Sequence, residues 1–458
     1  MLLLMLPGSS HEQPFKYSWR SRKNAGNAVY KLSNTPQPIM SLTVKFSRPD
    51  KRVEIQYNGE LASLNNPMGS LISLGYVRDG GSVLFALAGN GTDSNPFVSS
   101  NPPTAWMQAT IKTIGSKSLR EFSMPASHDS GMSEVTGLYG GVRHNTITQT
   151  RDIFSQLCFG ARHFDIRPIR FRSSFWTGHF SKTRSGAVGC TGRSLSQIVD
   201  DINRFNAQYP GELIILDISH DMNAKQRFQP FSRVEWQELY KVLSQISDLW
   251  KSAPASHAED LSTIPISAFI TPGSQSAVLV RLPDEAPAPS LAYIPEDPAF
   301  AAAETSDSSS DIDVDAPRSS TTNVTRIPSR PLAREAFLPA HRLPRSGSWS
   351  DTTSPAFLSS DQLSKLRLLR GASGAEAHMS VWTLSQSWRQ VTDVGNRRKS
   401  IVAMAVQARR ALFAELWPAV VKGGIWPNLV QIDDLTDTGV LALCMAVNEW
   451  FLGGTLER

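Results

Sequence analysis

The stretch 194–219 constrains the fold more than any other part of the chain. Ser194 and Gln197 stand at the spacing of a capping box. Leu195, Ile198, Val199, Ile202 and Phe205 then recur at helical spacing, which predicts an amphipathic helix. Pro210-Gly211 ends it. Leu213–Ile218 follows as a nearly continuous apolar run, the pattern of a parallel strand buried on both faces. The unit then repeats. Ser232 and Glu235 predict a second capped helix carrying Trp236, Leu239, Tyr240, Leu243, Ile246 and Leu249 on one face. Ala277–Leu282 predicts the next strand. Helix followed by parallel strand, repeated, predicts an α/β fold, either a sheet or a TIM-type (β/α) barrel.

The flanks extend this pattern. Strands are expected to end near Ser127, Ile166, His179 and Ser219, and later ones at 378–385 and 429–435. A long helix is expected at 401–421, stopped by Gly423-Gly424. That accounts for about seven of the eight strands of a barrel. Before residue 113 the character differs. Val44 and Phe46, then Val53, Ile55 and Tyr57, alternate with polar residues as in half-buried strands. Gly75 to Leu87 reads as a glycine-turn hairpin. Residues 1–112 are therefore expected to form a small antiparallel β module, with an incomplete beginning, and 113–458 the barrel. Residues 286–355, rich in Ala, Pro, Ser and Asp, read as a disordered insert in it.

Composition narrows the setting. Hydrophobic residues make up 40% of the 458, enough for a large core. The net charge of +5 suits weak attraction to anionic phosphate or lipid headgroups. No dense Lys/Arg run marks a nucleic-acid tail, so no nucleic-acid partner is expected. Three cysteines, Cys158, Cys190 and Cys444, are too few for a disulfide framework. The apolar start is shorter than a signal-peptide core, and no stretch is apolar enough to span a bilayer. A cytoplasmic or peripheral-membrane protein is the expectation, with secretion as the alternative.

Four segments put ionisable groups at predicted strand ends: MPASHDSGM (124–132), ARHFDIRP (161–168), WTGHF (176–180) and NLVQIDDL (428–435). In a βα barrel those ends form the mouth where chemistry sits. Within 161–168, Phe164 and Ile166 fall on one face and His163, Asp165 and Arg167 on the other. The apolar pair should face the helices, which sends Asp165 and Arg167 inward. Two histidines, an aspartate and an arginine at neighbouring strand ends supply a base, an acid, an orienting carboxylate and a cation for phosphoryl charge. A nucleophile elbow, a P-loop and a dinucleotide-binding glycine motif are all absent from the sequence.

These motifs resemble the family of phosphatidylinositol-specific phospholipase C-like phosphodiesterases, fungal members included. MPASHDSG resembles the family's first-strand motif, with Ala126 in place of the usual glycine. GARHFDIRP resembles the second, GHF the third-strand histidine, and PGELIILDIS the fourth-strand core. The resemblance implies a TIM-barrel phosphoric diester hydrolase acting on a phospholipid or inositol-phosphate substrate through a cyclic phosphate. It implies His128 as general base and His179 as general acid. Arg167 would stabilise the transition state, Asp129 would orient His179, and Asp433 would orient His128. Asp165 completes the catalytic set, and Arg281 would bind substrate. Because Arg167 can replace a cation and Asp129 follows His128, the pattern resembles the metal-independent members. Asp165 and Asp217 keep calcium or magnesium as the alternative. The competing readings are a metal-dependent glycerophosphodiesterase or sphingomyelinase-like barrel, and a non-catalytic barrel binding lipid or glycan.

Overall fold

The structure, a computed structural model, describes seven short strands between residues 27 and 100. It then describes 102–183, 186–251, 259–289, 336–370, 376–387, 391 and 400–452. The main body is a TIM-type α/β barrel of eight parallel strands. In chain order these are β1 (Met124–Ser127), β2 (His163–Ile166), β3 (Leu213–Ile218), β4 (Ala277–Leu282), β5 (Phe337–Pro339), β6 (Arg345–Ser346), β7 (Ala377–Trp382) and β8 (Leu429–Ile432). The hydrogen-bonded order is β5-β4-β3-β2-β1-β8-β7-β6. The ladder therefore runs round the barrel and is open between β5 and β6. Side chains bridge that seam: Arg281 Nε on β4 donates to Leu343 O (2.9 Å), and Arg345 Nε on β6 reaches Asp217 Oδ2 on β3 (2.8 Å).

Strand alternation builds two cores. Ile214, Leu216 and Ile218 of β3, with Val278, Val280 and Leu282 of β4, pack outward against the helices. Leu213, Ile215, Ala277 and Leu279 point inward. They fill the lower barrel together with Met124, Met379, Val381 and Leu429. The helix Trp106–Ile114 packs into the same cluster. The two capping boxes form as the sequence predicts, at Ser194/Gln197 before helix Leu195–Gln208 and at Ser232/Glu235 before helix Arg233–Leu243. Gly424 takes a left-handed conformation (φ 64°) and closes the long helix Ile401–Gly423.

Two expectations need correction. The strand bearing His179 is not a barrel strand. It spans Ser174–Thr183 and belongs to a separate five-stranded sheet, antiparallel to Pro168–Phe171 and Gly186–Ser194. PGELIILDIS is accordingly the third barrel strand, and Arg281 lies on the fourth. The expected insert 286–355 also reaches too far. Residues 336–355 carry β5 and β6, strands of three and two residues, too short to show a sequence period.

Before the barrel, strands Asn27–Lys31, Ser41–Ser47, Arg52–Asn58 and Leu71–Ser73 make an antiparallel sheet. Val44 pairs with Ile55 and Phe46 with Val53. The hairpin expected from Gly75 lies mostly outside the described residues. No described helix is long and apolar enough to cross a membrane.

The barrel floor depends on one buried ion pair. Arg162 and Glu212 are both fully buried. Arg162 Nε donates to Glu212 Oε2 (2.8 Å), and its other donors reach Leu157 O, Ala161 O and Thr104 O. Glu212 in turn accepts from Met107 N and Gln108 N, holding the first turn of helix Trp106–Ile114. Arg162→Ala strands the carboxylate, so it is expected to cost about 3–5 kcal/mol of stability in urea unfolding, as for other broken buried pairs.

Candidate active site

Adjacent barrel strands bring the ionisable groups together. β1 pairs β8 with Ser127 opposite Ile432, so the next residues, His128 and Asp433, meet one rung higher. His128 Nδ1 donates to Asp433 Oδ1 at 2.7 Å. Both are buried. β2 ends at Ile166, and Arg167 turns back over the mouth. Its Nε donates to Asp165 Oδ2 (3.0 Å), its Nη1 lies 3.5 Å from Asp129 Oδ2, and its Nη2 donates to His128 Nε2 (2.7 Å). Asp129, at φ 39°, places its carboxylate inward, and its own N–H donates to Asp165 Oδ2.

His179 arrives from the antiparallel sheet over the mouth. Gly178 N donates to Arg167 O (3.0 Å), which pins the hairpin to the end of β2. A register shift between Trp176 and Gly178 re-aims the strand just before the histidine, as bulges beside sites do. Across the ladder, a Cβ on Gly189 would lie 2.0 Å from His179 O, so only glycine allows this approach. His179 Nδ1 thereby lies 3.2 Å from Asp129 Oδ2. Arg167 sits between the two histidines, touching His128 directly and His179's partner Asp129.

Hydrogen-bond directions fix the protonation state. A guanidinium only donates, so His128 Nε2 carries a lone pair and Nδ1 carries the proton given to Asp433. Burial of His128 disfavours its charged form most strongly, but the Asp433 and Asp165 carboxylates together outweigh burial and the Arg167 charge and raise the pKa above the ordinary 6.5. The ring is therefore a neutral base of raised basicity. Asp165 behaves oppositely. Burial would raise its pKa, yet the Arg167 charge and the hydrogen bonds from Arg167 and Ser219 hold it well below the usual carboxylate range.

The structure brings His128, Asp129, Asp165, Arg167, His179 and Asp433 into one network and sets Arg281 apart. Arg281 Nη1 donates to Asp217 Oδ1 (2.9 Å). Asp217 is also held by Arg345 and lies 3.5 Å from His163 Nε2. Arg281 thus stands outside that cluster, in an interior ion pair beside the β5–β6 seam. Three neighbours escaped the sequence reading. Ser219 and His220 follow the β3 core directly, and that position was their only signal. Trp349 is 54% exposed and its ring lies 6.3 Å from His128. It comes from the segment expected to be disordered. Among the described residues, no group of three or more His, Cys, Asp or Glu side chains is arranged to hold a metal ion.

No family model matches the chain. It is 26% identical over 128 residues to a PI-PLC X-box domain-containing protein of Dictyostelium discoideum, covering 25% of this chain and 16% of that protein. It is 26% identical over 151 residues to a 1-phosphatidylinositol phosphodiesterase of Staphylococcus aureus, covering 33% of this chain and 45% of that one. Over these stretches the chain is similar to PLC-like phosphodiesterases. It spans less than half the length of these curated relatives. Solved phosphatidylinositol-specific phospholipases C from Staphylococcus aureus and Listeria monocytogenes superpose at TM-scores of 0.47 and 0.43, each at 14% identity. Each superposition covers 76% of this chain and 98% of the neighbour.

The interior pairs make stability depend on acid. Burial would raise the Asp217 pKa, but Arg345, His163 and Arg281 hold it far below the ordinary 3.8. A depressed carboxylate stabilises the fold fully above its unfolded pKa and loses that contribution as pH falls through the folded one. Urea midpoints of the wild type should therefore fall as pH drops from about 5 to about 2.5. Asp217→Asn should lower the midpoint at pH 7 and flatten that dependence.

Proposed function

We propose that the chain is a phosphoric diester hydrolase that cleaves the headgroup phosphodiester of a phosphatidylinositol-type phospholipid by acid–base catalysis between two histidines. The observation that carries this reading is the placement of Arg167 between the Nε2 of His128, whose lone pair it holds, and the Asp129–His179 pair. A base, an acid and a fixed cation then surround one point at the mouth, as phosphoryl transfer requires.

In the proposed reaction, the anionic phosphodiester draws the Arg167 guanidinium off His128 Nε2 and onto its non-bridging oxygens. Nε2 is then free to take the proton of the inositol 2-hydroxyl. That oxygen bonds to phosphorus, the bond from phosphorus to the diacylglycerol oxygen breaks, and His179 supplies the proton to the leaving oxygen. The product is a cyclic inositol phosphate. Asp433 orients His128 and stabilises its imidazolium, and Asp129 does the same for His179. The Arg167 charge neutralises the phosphorane-like transition state, the task a metal ion performs in metal-dependent relatives, and so supports metal-independent turnover. The relatives' names specify phosphatidylinositol, which makes it the first substrate to test.

Phosphatidylinositol vesicles with purified protein should give a cyclic phosphate by phosphorus NMR, unchanged by chelator. Loss with EDTA and recovery with magnesium would instead favour a metal-dependent barrel. His128→Ala and His179→Ala should each lower kcat by about 10²–10⁴; cyclic-phosphate release at the wild-type rate by both would remove the mechanism. Asp433→Asn takes away the charge that raises the His128 pKa. The base then stays neutral to lower pH, so the acid limb of kcat/KM should shift to lower pH while kcat falls.

A further inference from the structure

Behind the reacting groups runs a chain of hydrogen bonds whose polarity is fully determined. Ser219 Oγ donates to Asp165 Oδ1 (2.7 Å). Its proton is thereby committed, so the His220 Nδ1 that contacts the same oxygen at 3.0 Å must be the donor. Asp165 Oδ2 accepts from Arg167, which donates to His128 Nε2, and His128 donates to Asp433. His220 holds a left-handed backbone (φ 53°), a conformation costly for a non-glycine residue and concentrated at functional sites. It lies two residues beyond the end of β3 at the barrel mouth, where Arg167, Asp165 and Asp129 are the charged groups facing it and His128 the titratable ring.

We propose that His220 is a positioning residue: through Ser219 it fixes the Asp165 carboxylate, and so holds Arg167 against the Nε2 of His128. Asp165 Oδ2 already receives Arg167 and the Asp129 N–H. Only the Ser219 contact on Oδ1 sets the rotation of the carboxylate about its own axis. Hydrogen bonds in such a chain polarise one another, so a ring that donates to Ser219 Oγ makes its hydroxyl the better donor to Asp165. Without His220 the carboxylate turns, Arg167 loosens, and the positive neighbour of His128 Nε2 recedes.

The test uses full-length protein labelled with 15N-histidine. Ser219→Ala and His220→Gly are each expected to move the His128 titration midpoint up by about half a pH unit, because a cation has moved away. Glycine keeps the left-handed backbone, which separates the ring from the chain conformation. His220→Asn, which tolerates that backbone and offers a side-chain N–H to Ser219, is expected to restore the wild-type midpoint. Turnover of phosphatidylinositol should fall about tenfold in kcat for the Ala and Gly variants, with KM nearly unchanged. An unmoved midpoint in both, or equal shifts in the Gly and Asn variants, overturns the proposal. The turnover arm rests on the phosphodiesterase reading, whereas the titration arm does not. A wild type that releases no cyclic phosphate therefore fails that reading and leaves the titration to decide this one.

Discussion

A barrel that carries charges in its interior has to pair every one of them, and that constraint organises this structure. Asp165, Asp217 and Arg281 lie side by side on β2, β3 and β4. Two carboxylates on neighbouring strands would repel, so each needs its own cation. Asp165 takes Arg167 from the mouth. Asp217 takes Arg281 and Arg345. A buried charge left without a partner costs several kcal/mol, so these pairings are not optional. They also close the barrel where the backbone does not, because Arg345 comes from β6 and Asp217 from β3.

The same pairing sorts the interior by level. At the floor, Arg162 and Glu212 satisfy each other and hold the helix Trp106–Ile114 against the apolar lower core. At mid-height, Asp217 is enclosed by Arg281, Arg345 and His163. Burial lowers the His163 pKa despite the Asp217 contact, so that ring stays neutral. Only at the top does the network end in groups open to chemistry, the Nε2 of His128 and the ring of His179. The site is the last layer of a charge arrangement that begins as a folding requirement.

The sequence revealed the groups at strand ends and missed those between them. His128, Arg167 and Asp433 were legible because strand period and motif order placed them on the inward face near the mouth. Helix caps at Ser194 and Ser232 were legible because capping is a local interaction between residues three apart. The short strands β5 and β6 were not, since two or three residues hold no period, and their setting in a Ser/Pro-rich region suggested disorder. Arg281 was legible as an inward charge and no further. An inward arginine near a mouth reads equally as a substrate contact or as the partner of a buried carboxylate. The choice depends on Arg345 and Leu343, which lie more than sixty residues away across the seam. His179 was found as a residue but placed on the wrong sheet, because an antiparallel hairpin and a barrel strand share the same period of two.

Arg167 ties these levels together. Its charge is required by Asp165, which without it would be a buried, unpaired anion. Satisfying that requirement leaves the other face of the guanidinium to contact His128 Nε2 and Asp129. In the resting arrangement the cation therefore occupies the base's lone pair. A base masked in this way can accept a proton only after something more attractive has drawn the guanidinium aside. A hydroxyl carries no such attraction, whereas a phosphodiester does. On the proposed reading, the pairing that stabilises the barrel also makes the base available only when the phosphate to be cleaved is present.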